Sequence, residues 1–219
     1  MNAGTTRPGT LVAVVGVATE VGKTWTPAQL LVQLRTSGIA AVARKPMQSF
    51  DPGELGGTDA EVLAAAGGER PHDVCPAHRW YRLPMAPPMA AEALGLDRIA
   101  SAAVLGEIAW PVGTTVGLVE TVGGVRSPMT HDSDSAGFAA LLEPDLTVLV
   151  ADAGLGIINA VRLALQVLDA SRTIVFLNRF DHGDLHRRNR EWLEVRDGVT
   201  TATDIGAVCE WLIERRTIG

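Results

Sequence analysis

The chain has 219 residues, of which 47% are hydrophobic and 20% charged, enough apolar material for one α/β domain over residues 1–219 and too much for a disordered tail. Lys and Arg number 19 against 25 Asp and Glu, giving a net charge of -6, so the chain lacks the cationic surplus that phosphate-backbone binding requires. Leu11–Gly16 (LVAVVG) reads as a strand buried on both faces, followed by a turn and a helical pattern over Lys23–Thr36 that stops at Ser37-Gly38. Pro27 falls in the first turn of that helix, where a missing N–H is tolerated. Ile39–Arg44 reads as a second strand. Thr58 is placed as the N-cap of a helix over Asp59–Ala66 that ends at Gly67-Gly68. Residues 69–88 are Pro-rich and read as a long connection, and helical patterns follow at Met89–Leu94 and Asp97–Ala109. Thr115–Glu120 is a strand, Thr121–Asp132 a Gly-containing loop, Ser135–Leu142 a short helix and Leu146–Ala151 a further strand. Gly154–Asn159 opens a helix to about Ala170, Arg172–Leu177 is a strand leading into Asn178, and helices are expected at Asp184–Glu194 and Asp204–Arg215. Strands that are apolar throughout and alternate with helices predict a three-layer α/β fold. It has a mostly parallel sheet with helices on both faces, and its ligand lies outside the carboxyl ends of the strands.

Met1–Thr10 lacks the apolar segment of a signal peptide, and no apolar run approaches the roughly 20 residues of a membrane span. Cys75 and Cys209 are far apart without CxxC spacing, so neither a disulfide framework nor a zinc site is implied. A cytoplasmic protein with no nucleic-acid and no membrane partner is expected.

The strongest local signal is Gly16-Val17-Ala18-Thr19-Glu20-Val21-Gly22-Lys23-Thr24, set between a strand and a helix in the manner of a P-loop NTPase. Glycines let backbone N–H groups turn in around a phosphate, and the helix start adds partial positive charge. Lys23 can then reach β/γ-phosphate oxygens and Thr24 can offer its hydroxyl to Mg²⁺. Five residues separate Gly16 from Gly22 where the usual loop has four. The competing reading is a Gly-rich turn with an incidental lysine.

Lys45 closes the second strand beside Pro46 and points either into the same crevice or to the surface. Asp59 opens a helix, where a carboxylate also suits the helix dipole. Glu120 ends an apolar strand, and a carboxylate buried there needs a cation partner. Thr24, Asp59 and Glu120 together would make a hard-oxygen magnesium site. A strand-end Glu without a metal is the alternative.

These residues resemble the dethiobiotin synthetase family. Gly16 to Thr24 is similar to its Gly-Thr-Asp-Thr-Glu-Val-Gly-Lys-Thr loop, including the five-residue spacing. Lys45-Pro46-x-x-Ser49 resembles Lys-Pro-x-x-Ser-Gly, and Thr58-Asp59-Ala60 resembles Ser-Asp-Ala. Pro87-Pro88-Met89-Ala90-Ala91 resembles Ser-Pro-His-x-Ala-Ala. Val119-Glu120 followed by Gly123-Gly124 is similar to Val-Glu-Gly-Ala-Gly-Gly, and Leu155-Gly156-Ile157-Ile158-Asn159 is similar to Leu-Gly-x-Ile-Asn. Asn178 follows a strand where the family keeps an Asn near the adenine. The anchors occur in the family's order over roughly Leu11 to Phe180.

The resemblance implies a homodimeric, ATP- and Mg²⁺-dependent ligase of biotin synthesis. Such an enzyme carboxylates 7,8-diaminopelargonic acid with CO₂, activates the carbamate with the γ-phosphate and closes a cyclic urea. Carried over, Lys23 and Lys45 are the catalytic residues at the γ-phosphate and carbamate, and Glu20, Val21, Gly22, Lys23, Thr24 and Asn178 bind ATP. Thr19, Lys45 and Ser49 contact the diamine and carbamate end, and Thr24, Asp59 and Glu120 hold metal. Gly123 and the helix start at Ile157, Ile158 and Asn159 hold the substrate's far carboxylate, the helix start coming from the partner subunit. The chain departs from the family at Ala18, where the loop has Asp, at Phe50, Thr121 and Val122, where it has small residues, and at Met89, where it has His. Phe50, Thr121 and Val122 are therefore expected to narrow the pocket. A divergent P-loop ATPase or amidoligase-type enzyme and a catalytically silent nucleotide-binding paralogue stand as alternatives. His131-Asp132-Ser133-Asp134 is expected to be a solvated turn with an N-cap. Arg179 to Arg190 is expected to present a solvated basic helix face, with contact to phosphate or nucleotide as the alternative, and Trp80 and Tyr81 to pin the Pro-rich connection to the core.

Overall fold

A computed structural model of the chain describes residues 6–53 and 56–216. Part of the segment read for a leader, residues 1–5, lies outside the described residues. In chain order the elements are β1 (Thr10–Gly16), α1 (Trp25–Thr36), β2 (Ala41–Arg44), β3 (Gln48–Ser49) and α2 (Asp59–Gly67). There follow α3 (Pro71–Val74), β4 (Trp80–Tyr81), α4 (Pro87–Ala93), α5 (Ser101–Glu107) and β5 (Val116–Glu120). The remainder are α6 (Ser135–Leu141), β6 (Leu146–Asp152), α7 (Ile157–Leu165), β7 (Thr173–Asn178), α8 (Asp184–Glu191), β8 (Thr201–Ala202) and α9 (Ile205–Arg216).

Six strands form one sheet in the order β2-β5-β1-β6-β7-β8, with every neighbouring pair parallel. The unbroken apolar strands explain this, because successive side chains alternate between faces and both faces are covered. Val12 and Val14 meet Leu30, Leu31 and Leu34 of α1 and Val208 and Leu212 of α9. Ala13 and Val15 turn to the opposite layer, against Ala136 and Ala139 of α6 and Ile157 and Val161 of α7. Each fully buried Val, Leu or Ile among these contributes about 1.5–3 kcal/mol. A third cluster of Met47, Tyr81, Ala90, Ala91 and Phe138 lies under the Pro-rich connection.

The sheet is that of a P-loop α/β fold in three layers, as the sequence predicts. Several boundaries differ. The connection over residues 69–88 carries α3 and β4, and β4 pairs with β3 in a separate two-stranded sheet through Gln48–Trp80 and Ser49–Tyr81. The helix expected to reach Ala170 stops at Leu165. Val167 and Leu168 still pack on the core, so apolar spacing outlasts the helix there. The helix expected over Asp184–Glu194 changes at Glu191 into a wider π turn over Trp192–Arg196. Connections lead to one side of β1 through β2 and β5, and to the other through β6, which puts the topological switch at the carboxyl end of β1.

Candidate active site

β1 ends at Gly16 and the chain turns through residues 17–24 into α1. A Cβ on Gly16 would lie 2.7 Å from Cδ of Lys23, so glycine is what lets the lysine stem lie along the strand end. Glu20 and Gly22 take positive φ of 59° and 92°, the backbone alternation that turns successive N–H groups toward an anion. Asn178, at the end of β7, braces the loop from behind. Its Nδ2 donates to the Val21 carbonyl at 2.9 Å while its Oδ1 accepts from the Arg179 N–H at 2.9 Å. A Cβ on Gly22 would collide with that amide.

The charged side chains converge in front of this loop. Lys23 Nζ donates to the Ala18 carbonyl at 2.6 Å. Lys45, just past the end of β2, sends Nζ to Glu120 Oε1 at 2.6 Å, to Asp59 Oδ2 at 2.8 Å and to the Thr121 carbonyl at 3.1 Å. Thr24 Oγ1 stands 2.7 Å from Asp59 Oδ1 and 2.9 Å from Glu120 Oε1. One hydroxyl hydrogen cannot serve both carboxylates, so oxygen lone pairs exceed donors at this point. Glu120 is 0% exposed and its Oε2 has no hydrogen-bond partner among the described residues. An orphaned carboxylate oxygen within an oxygen-rich cluster fits a hard divalent cation whose shell is completed by phosphate and water. Among the described residues no group of three or more His, Cys, Asp or Glu gathers as a preformed cage. The donor set is two carboxylates and a hydroxyl.

Electrostatics separates the two lysines. Burial, followed by the neighbouring charge of Lys45, brings Lys23 down to about 8, with Glu120 and Asp59 opposing the shift. Burial also disfavours the Lys45 charge, but Asp59 and Glu120 outweigh it and hold Lys45 well above the usual lysine range. Burial works against the Asp59 charge too, yet Lys45, Thr24 and Lys23 keep this carboxyl below its ordinary value. Glu120 goes the other way, because burial pushes it up. The free site therefore holds one lysine committed to carboxylates and one lysine poorly neutralised, a receptor for added negative charge.

Most of the sequence-predicted residues share one cleft of about 630 Å³. Thr19, Glu20, Gly22, Lys23, Thr24, Lys45, Ser49, Asp59, Glu120 and Gly123 all line it. Val21 is buried behind the loop, and Asn178 sits behind it as well. The α7 start, expected to serve a partner subunit's site, stands apart from its own chain's cleft. Ile157, Ile158 and Asn159 do not line the cleft, and Ile157 is packed in the sheet core. The narrowing expected from three bulkier residues reduces to one. Phe50 packs edge-on against Trp80 at 6.0 Å, away from the cleft, and Thr121 is buried with its N–H on the Val14 carbonyl at 3.0 Å. Val122 does line it.

Three lining residues carry no site role from sequence: Trp25, Gln48 and Arg179. Trp25 follows the loop's threonine, is 48% exposed and lies nearly parallel to Phe176 at 6.3 Å. Arg179 is not on the basic helix face that the sequence suggests. Its φ of 57° turns it back at the end of β7, where it donates to the Glu20 carbonyl at 2.8 Å and pairs with Asp152. The His131–Asp134 segment is a structural turn. Asp134 caps α6 by accepting from Gly137 N–H at 2.7 Å, and Asp132 accepts from Ser101 N–H at 3.0 Å.

Loop, switch point and paired lysines define the chain as a P-loop nucleotide-binding α/β protein. Solved structures agree on the fold. Cell division protein FtsY from Thermotoga maritima has a TM-score of 0.57 at 17% identity, over 92% of this chain and 62% of that one. FtsY of chloroplasts from Physcomitrella patens gives 0.54 at 18% identity, over 92% and 61%. This chain thus spans about three fifths of the length of those proteins. The family model described as an AAA domain matches residues 10–203. A protein named ATP-dependent dethiobiotin synthetase from Caulobacter sp. (strain K31) is 30% identical over 91% of this chain and 93% of its own. Another of that name from Anaeromyxobacter sp. (strain Fw109-5) is 38% identical over 72% and 70%. The chain belongs to the dethiobiotin synthetase family.

Proposed function

We propose that this protein is an ATP- and Mg²⁺-dependent dethiobiotin synthase, a cytoplasmic ligase with one catalytic domain over residues 1–219. In this reading CO₂ adds to one amine of 7,8-diaminopelargonic acid with loss of a proton, giving a carbamate. A carbamate oxygen takes the γ-phosphoryl group and ADP leaves. The second amine then attacks the carbamoyl carbon, phosphate departs and the cyclic urea of dethiobiotin closes. The observation that carries the proposal is the convergence of Lys23 and Lys45, from two different strand ends, on one cleft beside Thr24, Asp59 and Glu120.

The residues have separable tasks. The loop N–H groups and Lys23 hold the phosphates, and added negative charge there restores the full charge of Lys23. Lys45, with Thr19 and Ser49, orients the carbamate against the phosphoryl group, so that most of the catalysis is positioning and charge stabilisation. Bound Mg²⁺, held by Thr24, Asp59 and Glu120, supplies charge neutralisation on the phosphates. Asn178 supports the adenine end through its hold on the loop. The α7 start lies outside its own chain's cleft, which favours a homodimer in which the α7 start of a second copy, together with Gly123, receives the substrate's far carboxylate.

The test is phosphate release from Mg·ATP, expected to require both the diamine and bicarbonate. Release that ignores both additives refutes the synthase reading. Turnover with a different amine or carboxylate marks a divergent amidoligase-type enzyme, and binding of Mg·ATP without turnover under any diamine marks a silent paralogue.

A further inference from the structure

Gln48 occupies β3, between Lys45 and Ser49 in sequence, and lines the same cleft. Its side chain is as buried as the lysine's, with both residues 2% exposed. The two ends of its amide differ. Oε1 accepts from the Ala60 backbone N–H at 2.9 Å, inside the first turn of α2. That donor fixes the orientation of the amide, because a flipped group would set N–H against N–H. The NH₂ end therefore faces the other way, and no acceptor among the described residues reaches Nε2. A buried amide donor left without an acceptor is destabilising, so its retention beside the charged cluster calls for a ligand atom that accepts.

The position restricts that atom. Lys45, Gln48 and Ser49 all line that cleft, and Lys45 Nζ already reaches Glu120, Asp59 and the Thr121 carbonyl there. Three donor side chains from one short stretch of chain match an anionic oxygen, not an amine or an aliphatic segment. We propose that Gln48 is a substrate-contacting residue whose amide donates to an anionic oxygen held between Lys45 and Ser49. Resting on the synthase reading above, that oxygen is the carbamate's. Gln48 then discriminates the carboxylated amine from the free diamine, because only the former brings the acceptor. Its coupling to Ala60 through Oε1 also ties this contact to the helix that carries Asp59.

The experiment follows the side-chain amide itself. The protein is labelled with ¹⁵N-glutamine, and the Gln48 NH₂ signals are assigned by their loss in Gln48→Glu. That variant keeps an oxygen for the Ala60 N–H while replacing the donor. Signals are recorded with Mg²⁺ and a non-hydrolysable ATP analogue, then with the diamine, then with bicarbonate. The Gln48 signals should move most at the bicarbonate step. Calorimetry on the same samples records whether the diamine binds. Binding of diamine and bicarbonate with an unmoved amide overturns the inference and leaves the synthase reading standing. Absence of any diamine binding refutes the synthase reading instead. Inorganic phosphate is then the probe: a shift of the Gln48 signals sustains the oxyanion contact, and no shift overturns it. Under turnover, Gln48→Glu should raise KM for the diamine at fixed bicarbonate by about tenfold or more. A KM within twofold of the parent overturns the inference, and Gln48→Met, which adds no charge but removes the donor together with the acceptor of the Ala60 N–H, should reproduce the rise.

Discussion

Lys45 and Lys23 are both buried lysines in one cleft, yet they stand on opposite sides of the stability balance. Lys45 has two carboxylate partners and a charge favoured above its ordinary range. Replacing it in Lys45→Met leaves Glu120 buried and unpaired, which should cost about 3–5 kcal/mol in urea unfolding together with loss of turnover. Among the described residues Lys23 Nζ donates only to the Ala18 carbonyl, and burial works against its charge. Lys23→Met should therefore unfold at the same urea concentration as the parent or a higher one, while Mg·ATP binding measured by calorimetry disappears. Equal destabilisation by both substitutions would contradict the assignment. Much of this was legible in the chain: the loop lysine by its place between strand and helix, and Lys45 and Glu120 by lying at strand carboxyl ends. Gln48 gave no signal, because an amide's orphaned hydrogens are a property of its neighbours. Arg179 was misread as part of the basic run that follows, because sequence does not reveal the positive φ that turns it back.

The elements position these residues by ordinary local rules. Asp59 reaches Lys45 because α2 starts where it does, and Thr58 sets that start. Its hydroxyl accepts from the Glu61 N–H while the Glu61 carboxylate accepts from the Thr58 N–H, a reciprocal capping box. Thr58→Ala should lower stability by about 1 kcal/mol in denaturant unfolding and weaken Mg²⁺-dependent nucleotide binding through Asp59. Preserved metal dependence would uncouple the cap from the site. The cap was visible in the sequence, and so were the five strands β1, β2, β5, β6 and β7, each an apolar run between turn signals. β3, β4 and β8 were not, since two residues are too few to show any period. The length of α7 was overestimated for a related reason, since residues beyond its end continue to bury apolar side chains without being helical.

At the scale of the whole molecule, the two cysteines report on the integrity of one helical layer of the core. Burial pushes the Cys75 thiol up to about 12 and the Cys209 thiol up to about 11, and both side chains are packed in the cluster that joins α1, α2 and α9 to the sheet. A raised thiol value keeps the unreactive protonated form as pH increases. Alkylation of the native protein by iodoacetamide should therefore remain slow from pH 7 to pH 9, and denaturation should release two rapidly reacting thiols per chain. Fast labelling of native protein at pH 8 would show that this layer opens. No helix among the described residues is long and apolar enough to cross a membrane.

The two outermost strands of the main sheet are its shortest stretches, four residues in β2 and two in β8. Few unpaired amides are therefore left along either margin to template another polypeptide, so fibril-like growth by strand addition has little to start from. Leu155, just ahead of α7, and Leu163 within it stand exposed at 91% and 55%.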